Sequence, residues 1–266
     1  MSMKVCLAGA TGWAGSALAK GIVDAPDLEL VGAVSRSHCG KILGPIIDRA
    51  TNSTLIYSTV TEALQAKPDV FIEFTKPNVA KTNILQALRE GCHVVVGTSG
   101  LSDDDYREID ELAKMEGKGV LACGNFSLTA VLFQKFAEMA AKHIPHWEII
   151  DYASSTKIDS PSGTGRELAH RLSKVRESQL DISLEDVIGP KGVRGARING
   201  SQVHSVRLPG FVLSLDVIFG MPDQKLVIKH EAGASAQPYI DGALLGIRKV
   251  GGLVGLHRGL DVVMDF

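Results

Sequence analysis

Only four cysteines occur in the 266 residues, Cys6, Cys39, Cys92 and Cys123, and no two of them form a C-x-x-C pair. That scatter fits reduced thiols, used as small apolar filler, better than a disulfide frame or a cysteine zinc site. Charge of one sign is missing too: 28 Lys+Arg face 30 Asp+Glu, for a net charge of -2, and the charges are interspersed. Such a chain has no basic face large enough for a nucleic-acid backbone, so no nucleic-acid partner is expected. No apolar run approaches the roughly 18 residues that span a bilayer. Met1-Ser2-Met3-Lys4 leads straight into a strand-like run with no secretory pattern, so a cytoplasmic protein without a membrane partner is expected. Internal repeats and low-complexity tracts are absent, which removes solenoid architectures, and no metal site is expected.

What is present is 45% hydrophobic content, enough for two moderate cores. Lys4 to Ala8 reads as a buried strand, followed by a glycine turn and a periodic helix from Ser16 to about Val23. Strands are predicted at Leu28 to Val34, Asp69 to Phe74 and His93 to Thr98, and helices at Val79 to Glu90 and Asp103 to Glu116. The second of these helices opens on a capping pattern, Ser102 with Asp105. Val120 to Cys123 reads as the last strand of this series. The alternation predicts an α/β fold with a Rossmann-like, doubly wound parallel sheet.

After Asn125 the rhythm changes. A helix at Leu128 to Lys142, a strand at Trp147 to Tyr152 and a helix from about Gly165 to Val175 precede three strand-like runs. Those runs, Ala196 to Leu208, Phe211 to Phe219 and Lys225 to His230, read as an antiparallel meander, and a helix at Tyr239 to Val250 follows. The expectation is a dinucleotide-binding domain over 1–125 and 233–266, and a second, α+β domain with a mixed or antiparallel sheet over 126–232, for substrate and subunit contacts.

Gly9-Ala10-Thr11-Gly12-Trp13-Ala14-Gly15 stands directly after the first strand and before a helix. Glycines there let a backbone approach a pyrophosphate that faces the helix N-terminus. The spacing is G-x-x-G-x-x-G, so its position in the strand-turn-helix unit carries more weight than the glycines themselves. At the end of the second strand, where NAD enzymes place an acid on the ribose hydroxyls, the chain reads Ser35-Arg36-Ser37. Arg36 can pair with a 2′-phosphate and the serines can donate to it, so NADPH is preferred over NADH. Two further loops at strand ends, Gly97-Thr98-Ser99-Gly100 and Cys123-Gly124-Asn125-Phe126, offer small residues beside a nicotinamide ring.

In the second half, Lys157-Ile158-Asp159-Ser160-Pro161-Ser162-Gly163-Thr164 combines a lysine with a turn opening a helix. The N–H groups of Gly163 and Thr164, the hydroxyls of Ser162 and Thr164, and the positive helix end suit a carboxylate or phosphate that Lys157 also reaches. The same residues also make an ordinary N-cap, Ser162 or Thr164, beside a solvated lysine. His230, beside Glu231, and His204 read as packed, hydrogen-bonded histidines.

Taken together these segments, with Asp69-Val70-Phe71-Ile72-Glu73-Phe74-Thr75, Pro77 and Gly124-Asn125-Phe126-Ser127, resemble the 4-hydroxy-tetrahydrodipicolinate reductase family of bacterial lysine biosynthesis, also called dihydrodipicolinate reductase. The resemblance runs nearly end to end. It implies hydride transfer from NADH or NADPH to a cyclic, conjugated imine dicarboxylate, in a homotetramer built through the second domain's sheet. By this resemblance Lys157 donates a proton and holds substrate, and Gly163 with Thr164 cradles its carboxylate. Ala153 stands where the family's acid/base histidine belongs, and Ser154 where a substrate-contacting histidine belongs. Phe211-Val212-Leu213-Ser214-Leu215 replaces an acid-histidine pair, and Trp13 an arginine. These departures fit a diverged paralogue acting on another imine or enamine acid; a non-catalytic NADPH-binding sensor is the alternative of a different class. A semialdehyde dehydrogenase needs a cysteine nucleophile deep in its catalytic domain and a short-chain reductase a Tyr-x-x-x-Lys pair; the chain supplies neither.

Overall fold

The structure, a computed structural model, describes residues 2–265. In chain order it begins with β1 (Met3–Ala8), α1 (Trp13–Asp24), β2 (Leu28–Val34), β3 (Ile56–Tyr57), α2 (Val60–Leu64), β4 (Val70–Glu73), α3 (Pro77–Arg89), β5 (His93–Val96), α4 (Asp103–Met115) and β6 (Gly119–Ala122). It continues with α5 (Leu128–His143), β7 (His146–Ala153), α6 (Gly163–Ser173), β8 (Ala196–Ile198), β9 (Ser201–Arg207), β10 (Leu213–Met221), β11 (Gln224–Ala232), α7 (Ile240–Lys249) and β12 (Gly255–Arg258). Two compact units result, one made of the residues to Leu128 together with those from Ala236 onward, the other of Thr129–Ser235.

The first unit is a Rossmann-like parallel sheet of order β12-β6-β5-β4-β1-β2-β3. Alternation along each strand sends one set of side chains to either face. Cys6, Phe71, Val94 and Val120 meet Ile84 and Leu88 of α3 and Ile109 and Ala113 of α4 on one side. On the other, α7 passes over Leu121 and Val95 at Gly246, and α1 lies against Ile240 at Gly21. Each fully buried Ile or Leu in these layers stabilises the unit by about 1.5–3 kcal/mol. Helix α4 starts as its sequence dictates, with Ser102 and Asp105 in a reciprocal capping box. The expectation that Val120 to Cys123 is the last strand is corrected: β12 adds a parallel edge strand outside β6. Strand β3 and helix α2, capped by Thr59 and Glu62, were likewise absent from the sequence reading.

The second unit is a mixed sheet of order β11-β10-β7-β9-β8. Strand β7 alternates strictly, and Trp147 and Ile149 join Phe133, Ala137, Leu168, Leu172, Val217 and Phe219 in one core beneath α5 and α6. The expected meander is corrected. The 196–208 run breaks at Asn199–Gly200, where both residues have positive φ, into the hairpin β8–β9. Strand β9 then pairs parallel with β7, while β10 pairs antiparallel with the other edge of β7. Only β10–β11 remains from the meander as a sequential hairpin. Helix α6 starts two residues before the expected Gly165, at Gly163, because Ser162 is its N-cap.

Candidate functional site

The glycine turn is shaped by its own backbone. Gly9 has φ +84°, and a Cβ there would lie 2.2 Å from the Phe74 carbonyl oxygen. A Cβ on Gly15 would lie 2.0 Å from the Gly9 carbonyl oxygen, so α1 packs against the turn only if position 15 carries no side chain. Gly12 is the N-cap of α1 and no side chain caps the helix. The N–H groups of Trp13, Ala14 and Gly15 are therefore left for an anion. Ala10 contributes less than the sequence suggested: its side chain is buried and its N–H donates to Val34 at 3.3 Å. Trp13 is 62% exposed, with its ring edge on Tyr239 at 6.0 Å between centroids.

The end of β2 meets this turn. Thr11 Oγ1 and Ser35 Oγ share a hydrogen bond at 2.6 Å, Ser35 and Ser37 share another at 3.3 Å, and Ser37 reaches His38 Nδ1 at 2.9 Å. Arg36 is exposed and has no ion pair among the described residues. A guanidinium without an ion pair, a chain of hydroxyls and a helix N-terminus fit a nicotinamide dinucleotide, the cofactor that the fold implies. His38 was not expected; its position one residue beyond the Ser-Arg-Ser run was the available signal.

The loops after β5 and β6 lie at carboxyl ends of strands in the same sheet. The Gly97 and Thr98 N–H groups both donate to the Glu73 carbonyl, at 2.9 and 3.2 Å. Glu73, fully buried at the end of β4, accepts from Thr75 N at 2.8 Å, Asn83 Nδ2 at 2.9 Å, Thr98 Oγ1 at 3.3 Å and the Thr75 hydroxyl. Burial pushes its carboxyl above the ordinary range, and the hydrogen bonds partly oppose that. This carboxylate, unassigned by sequence, ties the loop residues Thr75 and Thr98 to Asn83 of α3. Thr98, Cys123 and Phe126 are buried; Phe126 packs its ring on Phe74 at 5.6 Å, and burial pushes the Cys123 thiol up. With their side chains buried, these three present little but backbone at the strand ends. Ser99 and Gly124 are exposed, and a Cβ on Gly124 would meet nothing within 4 Å. Asn125 Oδ1 is occupied by the Ser127 N–H at 2.8 Å.

In the second unit, Lys157 Nζ pairs with Asp159 Oδ1 at 2.8 Å, and Arg166 approaches Asp159 Oδ2 at 3.7 Å. The pairing holds the Asp159 carboxyl below its usual value. Ser162 is turned inward: its hydroxyl donates to Asp151 Oδ1 at 2.6 Å and accepts from Gly165 N at 3.1 Å, and its N–H donates to Asp151 Oδ2 at 2.8 Å. The sequence reading offered that hydroxyl to a ligand; the structure commits it to the fold. What remains open is the pair of N–H groups on Gly163 and Thr164, the first two helical residues, with no protein atom within 4 Å of a Cβ on Gly163. Ser154 shares a hydrogen bond with Thr156 at 3.0 Å, and Ala153 is fully buried. His230 shares a hydrogen bond with Thr129 at 3.1 Å, and burial pushes its imidazole below the usual histidine value, in keeping with a packed histidine. A cavity of about 720 Å³ opens at the other end of β7, beside Trp147, Glu148 and Arg194. Among the described residues no cluster could hold a metal ion, and no helix is long and apolar enough to cross a membrane.

Residues 3–126 match the family described as dihydrodipicolinate reductase, N-terminus, and residues 129–262 match dihydrodipicolinate reductase, C-terminus. The 4-hydroxy-tetrahydrodipicolinate reductase of Bacillus pumilus is 37% identical over 265 residues, covering 99% of this chain and 98% of the relative. That of Carboxydothermus hydrogenoformans is 35% identical over 262 residues, covering 98% and 99%. The dipicolinate-bound dihydrodipicolinate reductase of Paenisporosarcina sp. TG-14 superposes with TM-score 0.88 at 27% identity, over 99% of this chain and 100% of that one. With both halves of its sequence matched, and with the glycine turn and the Lys157 loop each in a distinct folded unit, the chain belongs to the dihydrodipicolinate reductase family.

Proposed function

We propose that the chain catalyses the 4-hydroxy-tetrahydrodipicolinate reductase reaction of lysine biosynthesis via diaminopimelate, reducing a small carboxylated cyclic imine with NADPH in preference to NADH. The observation that carries this reading is the Lys157 ammonium on the loop leading to the two unfilled N–H groups of Gly163 and Thr164, in a chain of this family. Those N–H groups and the helix end take a substrate carboxylate, and Lys157 supplies a positive charge and three donors. A reduced nicotinamide held by the residues of the first unit would supply the hydride for the conjugated imine. The electron pair displaced from the π bond must then take up a proton, and Lys157, as an ammonium, gives it and is reprotonated from solvent.

In the first unit the turn over residues 9–15 takes the pyrophosphate, and Ser35, Arg36 and Ser37 take the 2′-phosphate. The open Arg36 supports NADPH. Assembly as a homotetramer through the sheet of the second unit, in the cytoplasm, belongs to the same reading. It is supported by Val227, 47% exposed, paired with Ile218 on the sheet face opposite the helices.

Ala153 favours a second reading, a paralogue acting on a different imine or enamine acid. It is buried and has no proton to give where the family's histidine belongs. NADPH oxidation by the purified protein, with the imine generated in place by the upstream synthase, separates the two. Turnover supports the first reading; firm NADPH binding without turnover moves the assignment to another imine acid or to a non-catalytic sensor.

A further inference from the structure

Arg207 is the last residue of β9, and its side chain is 16% exposed. Its guanidinium joins segments that are distant in sequence. Nη1 donates to the carbonyls of Asp151 and Val206, both at 3.0 Å; Nη2 donates to Asp151 Oδ2 at 2.7 Å and to the Asp159 carbonyl at 2.8 Å. Asp151 is fully buried, and its carboxylate also takes the N–H and hydroxyl of Ser162. The 154–162 loop is thus held at its middle by Arg207 directly and at its far end by Arg207 through Asp151. The residue held at the middle, Asp159, is the one whose carboxylate pairs with Lys157.

We propose that Arg207 is a positioning residue for Lys157, acting with Asp151 as a clamp that fixes the loop and the start of α6 against the sheet. The proposal rests on the reading of Lys157 as the group that meets the substrate. Stability alone is a poor reason for the pair, because two buried ions lose about as much hydration as their attraction returns, and apolar residues of the same volume often do as well. Geometry is a better reason. The two acceptors of Nη2 belong to different segments and Nη1 serves two more, a set that a planar fork matches and that the single ammonium of a lysine does not.

The test uses the full chain with Arg207→Lys, Lys157→Ala and the double variant. Measured quantities are kcat/KM for the imine, NADPH affinity, the thermal midpoint and amide hydrogen exchange over residues 154–162. In Arg207→Lys the charge stays, so the protein is expected to melt cooperatively and bind NADPH as the parent does. Its kcat/KM should fall about a hundredfold, the scale on which misplacing a reacting group acts. Ser162 N–H exchange should quicken. Because Arg207 acts through Lys157, the double variant should be no slower than Lys157→Ala. Parent-like kcat/KM in Arg207→Lys, or a double variant in which the two losses multiply, overturns the proposal.

If the parent does not reduce the imine, the proposed function fails, and the clamp is then judged by exchange alone. Faster exchange at Ser162 in Arg207→Lys supports it, and unchanged exchange overturns it. Should the lysine variant not fold, Ser162→Ala cuts the clamp at its far end while leaving the ion pair whole. The same loss in kcat/KM supports the clamp, and parent values overturn it.

Discussion

Ser162 and Asp151 meet twice, through the serine hydroxyl at 2.6 Å and the serine N–H at 2.8 Å, one bond to each carboxylate oxygen. The residue that looked from sequence like a ligand contact is the joint that fixes where α6 begins. Ser162→Ala removes the N-cap and one bond to a buried carboxylate. It should cost about 1–2 kcal/mol, read as a shift in the urea midpoint at unchanged slope. A variant as stable as the parent would show that the joint is dispensable.

Lys157→Ala should lower kcat by about 10²–10⁴-fold, the range spanned by a lost general acid. NADPH affinity, measured by fluorescence titration, should not change, since the residues assigned to the cofactor all belong to the first unit. Normal turnover would remove Lys157 from the mechanism.

Arg36→Ala should weaken NADPH by about 1.5–3 kcal/mol, the worth of a hydrogen bond to a charged group, and leave NADH nearly untouched. Equal losses for both coenzymes would discard the 2′-phosphate assignment.

Two glycines separate packing from ligand approach. Gly15→Ala forces a Cβ to within 2.0 Å of the Gly9 carbonyl oxygen and should lower the thermal midpoint in the absence of cofactor. Gly124→Ala places a Cβ with nothing within 4 Å, so stability should hold while cofactor affinity drops. Unchanged affinity in Gly124→Ala would mean that the loop after β6 keeps away from the cofactor.

Glu73 gives a pH signature. Burial raises its folded value above the ordinary 4.5, so between those two values the folded state keeps a proton that the unfolded chain has released. Stability contributed by this residue is therefore lost as pH rises through that window. Glu73→Gln, which does not titrate, should show a flatter rise-to-fall profile in melts taken from pH 4 to 7. Parallel curves for parent and variant would sink the assignment.

Much of the first unit was legible because its strands are short apolar runs punctuated by glycine, and β2 matches its predicted range residue for residue. The Ser102 cap was legible because capping is local chemistry. Strand β12 was not: Gly255-Leu256-His257-Arg258 has neither the length nor the alternation of a strand and forms one by pairing with β6. The neighbour order in the second unit was hidden for a related reason. Runs of Val and Ile announce strands, but nothing in them says that β9 pairs with β7 instead of β10. At the candidate site, the Lys157 loop could be found from its residue types. Arg207 could not, because it lies fifty positions downstream in an ordinary strand and its role depends on which strand lies beside it.

The first unit is discontinuous in the chain, and this orders events during synthesis. A ribosome that has delivered β1 to β6 has not yet made α7, which covers Leu121 and Val95, or β12, which shields the β6 edge. The nascent sheet waits with the apolar face of β5 and β6 and one edge open. The intervening segment, uninterrupted in sequence, is free to close first. Agents that guard nascent chains would accordingly be needed most by the half of the protein that emerges earliest.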